Sequence, residues 1–394
     1  MAKHFDFDRI LYRRGTDSLK WDCGENELPM WVADMDFDTA PAVREAILER
    51  AAKGAFGYTV VPERWNKAYA SWWRNRHGFA MEEEWLTFCT GVIPALSALV
   101  RKLTTPAEKV MVMTPVYNIF FNCIINNGRF PAECPLVYDG ENYSVDWEAF
   151  ERTAEDPQVT MLLLCNPQNP IGIVWDRETL ARIGEICSKN AVLVVSDEIH
   201  CDLVTGGEKY TPFASVNETN LKNSVTTLSA SKAFNLAGLQ SAAVVVSDKV
   251  LRRKVRRGLN TDECAEPNVF AAIAAAAAFE EGGEWLDELV RYIGGNKAFV
   301  KEYLAENIPT LKDVSRAATY LCWIDAKALQ DKCDEKQVSL AGYLRKNTGL
   351  WLSDGSSYGP AGSGFLRMNA ACPGAVLEDG LKRLEKGVEM LLAD

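Results

Sequence analysis

Histidine is scarce in this chain. Only His4, His77 and His200 occur in 394 residues, and no HExxH pair is present, so a histidine-built metal site is not expected. No CxxC pair occurs among the eleven cysteines. Their odd number and scatter suit reduced thiols rather than a disulfide framework or a zinc ribbon. Cations are also in deficit: 43 Lys and Arg stand against 54 Asp and Glu, a formal charge of −11. Nucleic acid is therefore a poor partner, because phosphate neutralisation needs clustered basic residues. The one basic run, Arg252 to Arg257, reads as the solvated face of a helix. No apolar stretch approaches the ~20 residues that span a bilayer; the longest, Val269 to Phe279, is mostly alanine. Residues 1–8 are too acidic and polar for an export signal. Neither GxGxxG nor the P-loop pattern occurs, which sets aside dinucleotide and P-loop chemistry. The expectation is a cytoplasmic protein with no metal, membrane or nucleic-acid partner.

What is present is globular. Hydrophobic residues make up 47% and charged residues 25%, and this length closes a core without staples. At about 150 residues per domain, two or three domains are expected. From about residue 86 to 247, apolar runs alternate with helical stretches. Val110–Met113, Thr160–Leu164, Val192–Val195, Val225–Leu228 and Ala242–Val246 read as strands covered on both faces, and Glu178–Ser188 as a covering helix. This is an α/β pattern with a mainly parallel sheet. After Val269 the texture changes to an alanine-rich helix, a long helical stretch from about Trp285 to Ala305, and two strand signals, Tyr320–Ile324 and Gly364–Met368. We expect a large domain over 46–285, a smaller α+β domain over 286–394, and an N-terminal segment over 1–45 packing against the latter.

In open parallel sheets, ligands sit beyond the carboxyl ends of strands, so the polar residues that follow the apolar runs are candidates for chemistry. Lys232 is the only charged residue between Asn223 and Ser247, in a Ser-Ala-Ser-Lys context. Desolvation there favours the neutral, nucleophilic amine, although a snorkelling surface lysine is the plainer reading. Asp197 ends a core strand, where a carboxylate needs a cation or several donors; a helix N-cap is the alternative. Asn169 lies in Asn-Pro-Gln-Asn-Pro-Ile-Gly, which is also simple turn chemistry. Thr90-Gly91-Val92-Ile93 opens a helix whose N-terminus suits an anion, and capping alone explains it as well.

Together these four match one cofactor. A lysine can condense with an aldehyde, a carboxylate can hold a pyridinium nitrogen, an amide can bond a ring oxygen, and a helix N-terminus can hold a phosphate. Pyridoxal 5′-phosphate has all four needs. The order Asn-Pro-x-Gly, Asp-Glu-x-His, Ser-x-Ser-Lys and a late Arg-x-Asn resembles the fold-type I pyridoxal-phosphate enzymes of the class I/II aminotransferase family, over nearly the whole chain. Pro29-Met-Trp-Val-Ala-Asp-Met-Asp-Phe37 and Arg367-Met-Asn-Ala-Ala-Cys-Pro373 resemble its cystathionine β-lyase, or C–S lyase, branch.

The resemblance implies a large domain built on a mainly parallel seven-stranded sheet flanked by helices, with a smaller α+β domain. It implies that Lys232 carries the cofactor, Asp197 holds its pyridine nitrogen, Asn169 bonds its ring oxygen and Tyr117 stacks on the ring. Gly91, Val92, Ser229 and Ser231 would grip the phosphate, and Tyr58 would reach the phosphate of a neighbouring subunit in a homodimer with shared sites. Arg367 would clamp the substrate carboxylate, with Asn169 and the backbone of Val32 and Ala33 lining the substrate mouth. Departures from the wider family are equally informative. Gln240 and Ser241 stand where many aminotransferases have an arginine, and His200 where many have a tyrosine; both fit the lyase branch. Asn118 stands where some C–S lyases have a second tyrosine. The expected reaction is β-elimination of L-cysteine S-conjugates to pyruvate, ammonia and a thiol. The alternatives are an aminotransferase acting on an L-amino acid, a regulatory protein that restrains a transcription activator by contact, and a cofactor-free structural protein.

Overall fold

The computed structural model describes residues 5–393. Met1–His4, half of the stretch read above for an export signal, and Asp394 lie outside them. The apolar runs form a seven-stranded sheet: β1 (Leu86–Cys89), β2 (Lys109–Val112), β3 (Phe130–Glu133), β4 (Val159–Cys165), β5 (Leu193–Asp197), β6 (Ser224–Leu228) and β7 (Ala242–Val245), in the spatial order β1-β7-β6-β5-β4-β2-β3. Only β7 runs against its neighbours, β1 and β6; the remaining pairs are parallel. The register levels the central strand ends, with Cys165 opposite Asp197 and Asp197 opposite Thr227. The turns that follow β4, β5 and β6 therefore open at one edge of the sheet.

Both faces are covered, which is why the strands are apolar without alternation. On one face, helix α1 (Val92–Leu103) buries Leu96 and Leu99 with Val255 and Leu259 from Lys249–Thr261. On the other, Arg177–Lys189 buries Leu180, Ile183 and Cys187. Each of the latter two helices starts at an aspartate: Asp176 accepts from the Thr179 amide and Asp248 from the Leu251 amide, both at 2.7 Å, the usual way to satisfy a first-turn donor. The basic run on Lys249–Thr261 needs a correction. Arg253, Lys254, Arg256 and Arg257 are exposed, but Arg252 is buried. Its guanidinium donates to the carbonyls of Val246 and Ser247 at 2.9 and 2.7 Å and pairs with Glu84, tying the end of β7 to the chain before β1. Ten of the eleven cysteines are buried and all are free thiols, filling core space as small apolar side chains.

A second, antiparallel sheet comprises β8 (Lys312–Asp313), β9 (Leu321–Asp325), β10 (Ser353–Asp354) and β11 (Phe365–Asn369), in the order β8-β9-β11-β10. Leu28–Pro29 pairs in parallel with Leu350–Trp351 beside it, and Leu28 and Met30 enter the same apolar cluster as Leu366 and Met368 of β11. The long helix α2 (Gly283–Asn307) carries Lys297 into the interior. There its ammonium donates to the carbonyls of Arg316, Ala318 and Thr319 at 2.6, 3.0 and 3.3 Å. Residues 316–319 in turn lie against the turn after β4: the Arg316 amide bonds the Ile171 carbonyl and the Ala318 amide bonds that of Gly172. This strap joins the two sheets where the turns open. Among the described residues, no helix is long and apolar enough to cross a membrane.

Candidate active site

A cavity of about 270 Å³ lies at that edge, lined by residues from all three central turns and from the start of α1. Lys232, in the turn after β6, projects its amine inside, and Nζ donates to the carbonyl of Ala33 at 2.6 Å. Burial, and secondarily the Arg367 charge, lowers Lys232 to about 8, against the opposing pull of Asp34 and Asp197. This is the desolvated lysine that the surrounding sequence suggests, not a snorkelling one.

Asp197, the last residue of β5, is buried and lines the cavity. Its Oδ1 accepts from the Ile199 amide at 3.2 Å and the Thr227 hydroxyl at 3.3 Å. Those bonds do not offset desolvation, which pushes the carboxyl up to about 7. A buried carboxylate in this state is short of a cation. His200, three residues on, is also buried, and desolvation with the Lys232 and Arg367 charges lowers it to about 3, so the imidazole is neutral.

Asn169, in the turn after β4, is buried and accepts from Arg367 Nη1 at 3.2 Å through Oδ1. Arg367 arrives from β11 of the second sheet, and its Nη2 donates to the Trp31 carbonyl at 2.8 Å. Tyr117 lines the wall, its hydroxyl pushed up to about 12 by burial. Gly91, Val92, Ser229 and Ser231 also line the cavity. Ser229 Oγ lies 2.7 Å from the Ser241 carbonyl and 2.8 Å from Ser231 Oγ, so its proton goes to the carbonyl and Ser231 donates to it. Gly91 caps α1 in an extended conformation with φ of 166°, and the amides of the first helical turn have no intrahelical partner. Lys232 is the sole cation among the lining residues; Gln240 and Ser241 sit here too.

The fit to pyridoxal phosphate can be judged from unpaired atoms. His200 Nδ1, in the cavity lining, is buried without a hydrogen-bond partner among the described residues, as is Nε of Arg367 beside Asn169. Unsatisfied buried polar atoms are rare in a finished interior. Here the first of them faces a cavity that also holds a carboxyl pushed up by burial, an amine pushed down by burial and a helix N-terminus. An aromatic aldehyde with a basic ring nitrogen and a phosphate complements that set.

Not every expected residue converges. Tyr58 is fully exposed, on a loop beside Gly238–Leu239 and 266–270, and does not reach the cavity of its own chain. Ala33 lines the cavity, whereas the Val32 carbonyl is turned away to Asn369 Nδ2 at 2.7 Å. Two residues went unassigned in the sequence. Asn369 also bonds the Asp34 carbonyl at 2.6 Å, and Tyr320 donates its hydroxyl to the Ala33 carbonyl at 2.8 Å. Asn369 stood in view within Arg-x-Asn; Tyr320 looked like the first residue of a core strand.

Known proteins resemble the chain along its length. The family model for aminotransferase class I and II matches residues 26–384. Cystathionine beta-lyase PatB of Bacillus subtilis (strain 168) is 42% identical over 386 residues, covering 96% of this chain and 99% of that protein. Among solved structures, cystalysin from Treponema denticola, which contains a pyridoxal 5′-phosphate cofactor, superposes with a TM-score of 0.93 at 30% identity, covering 99% of this chain and 100% of that one. The pyridoxal-phosphate-bound C–S lyase from Staphylococcus hominis gives 0.91 at 31% identity, covering 98% of each.

Proposed function

This chain belongs to the aminotransferase class I and II family, and from that premise we propose that it is a pyridoxal-phosphate-dependent C–S lyase of the cystathionine β-lyase type. It cleaves L-cysteine S-conjugates by β-elimination to pyruvate, ammonia and a thiol. The observation that carries this reading is the convergence of Lys232, Asp197 and Asn169 on one cavity, with Arg367 bonded to Asn169, in a chain 42% identical to a cystathionine beta-lyase.

Bound pyridoxal phosphate supplies an aldehyde that takes up an amine and a cationic ring that stores an electron pair. The chain's own residues do the rest. Lys232 would hold the cofactor and would serve as the base for the Cα proton; its lowered affinity for protons keeps the amine competent near neutrality. Asp197 would give the ring nitrogen the counter-charge that keeps it protonated. Asn169 and neutral His200 would serve the ring oxygen, and Tyr117 would pack on the ring. Gly91, Val92, Ser229 and Ser231 would hold the phosphate with neutral donors. Arg367 would grip the substrate carboxylate through its planar fork, beside Asn169 and the backbone of Ala33. As the Cα proton leaves, a Cα–Cβ double bond forms and the Cβ–S bond breaks, the sulfur departing with its electron pair; water completes the conversion to pyruvate and ammonia.

The reading further takes residues 46–285 as the cofactor domain and 286–394 as the smaller one, with residues 1–45 packed on the latter. It takes the active form as a cytoplasmic homodimer in which Tyr58 serves the partner's phosphate. The deciding experiment is a panel of cysteine conjugates scored for pyruvate and thiol without added keto acid. Release of both supports the lyase; turnover that needs a keto-acid co-substrate indicates an aminotransferase instead.

A further inference from the structure

One backbone oxygen in the site has two side-chain donors. Lys232 Nζ donates to the Ala33 carbonyl at 2.6 Å and the Tyr320 hydroxyl donates to the same oxygen at 2.8 Å. We propose that Tyr320 is a positioning residue for Lys232, fixing the oxygen on which the free amine rests and weakening that oxygen's hold on the ammonium form. This rests on the reading of Lys232 as the reactive amine.

The surroundings leave neither partner free to move. Tyr320 is fully buried, its carbonyl accepts from the Ala370 amide, and the preceding Thr319 amide bonds the Leu203 carbonyl at 2.7 Å. Its ring meets His200 edge to face at 6.2 Å. The Val32 and Asp34 carbonyls are both taken by Asn369, so the carbonyl between them faces the other way, toward Lys232. A carbonyl oxygen has two lone pairs. The tyrosine occupies one, draws electron density from the oxygen and brings the positive end of its own O–H bond close to the amine. An ammonium group loses more from such a neighbour than a neutral amine does. The other charged or titratable groups facing Lys232 are Arg367, Asp34, Asp197 and His200, and those facing Tyr320 are Asp34, Arg367, Tyr117 and His200. All remain in place when the hydroxyl alone is removed.

The test is competitive acetylation of the full chain before cofactor is added, reading Lys232 by peptide mass spectrometry across pH. In Tyr320→Phe the midpoint is expected to rise by about half a pH unit, the scale of one neutral hydrogen bond. A 3-fluorotyrosine at 320, a stronger donor, is expected to lower it. Since Tyr320→Phe removes one oxygen from a buried ring, its melting temperature is recorded alongside; if the variant does not fold, the fluorotyrosine shift decides alone. Midpoints unchanged from the parent in every folded variant overturn the role of Tyr320 and leave Lys232 as assigned. A parent midpoint at the ordinary lysine value overturns the reading of Lys232 itself, and this inference with it.

Discussion

Arg367 and Asn169 meet at 3.2 Å across the two sheets, one from β11 and the other from the turn after β4. The carboxylate clamp is thereby registered to the residue expected to face the ring oxygen. Replacing Arg367 by Ala removes a charge-assisted pair with substrate, and KM is expected to rise about 10- to 100-fold. Arg367→Lys is expected to recover little, because a point charge cannot reproduce the planar fork. Steady-state kinetics on the preferred conjugate checks both.

Burial lowers Lys232 to about 8, so an appreciable fraction of its amine is neutral near physiological pH. The rate at which the cofactor-free chain captures pyridoxal phosphate is expected to rise with pH to a midpoint near that value, short of the ordinary lysine value of about 10.4. Lys232→Ala is expected to retain no covalent cofactor after borohydride reduction and denaturation, and to lose turnover. Stopped-flow absorbance and intact mass measure the two effects.

Asp197 has the opposite sign. Its carboxyl is pushed up to about 7 in the folded chain by desolvation, against about 3.9 unfolded. Its contribution to the stability of the cofactor-free protein is therefore fully present below the unfolded value and is lost as pH rises through the folded one. The melting temperature of the parent minus that of Asp197→Asn is expected to fall between pH 4 and 8. Loading the cofactor is expected to reverse that trend, since a cationic ring favours the carboxylate. Thermal scans at a series of pH values, with and without cofactor, decide it.

Gly172 has φ of +84°, and a Cβ there would stand 2.5 Å from the Ala318 carbonyl oxygen. Gly172→Ala is expected to cost about 1–3 kcal/mol in backbone strain, with further loss as the strap over 316–319 is pushed off the Asn169 turn. Urea unfolding measures the first effect, and a raised KM reports the second.

Much of this was readable from the chain itself, for a physical reason. A parallel strand buried on both faces is an apolar run, and the residue where the run stops is where the sheet opens. Lys232, Asp197 and Asn169 announce themselves in that way. Edge strand β3 (Phe130–Glu133) did not, being short, partly exposed and interrupted by Pro131, as edge strands often are. Arg252 looked like its exposed neighbours because its carbonyl partners come from an adjoining strand end. Tyr320 and Ala33 are 287 residues apart, and nothing local marks an aromatic hydroxyl that will share one oxygen with a distant lysine.

The interior ammonium of Lys297 occupies a nest of three carbonyls of the kind that loops elsewhere offer to a monovalent metal ion. Here the ion is tethered to a helix. The segment that bridges the two sheets is thus gathered by a donor the chain itself supplies, built into the helix that packs against it.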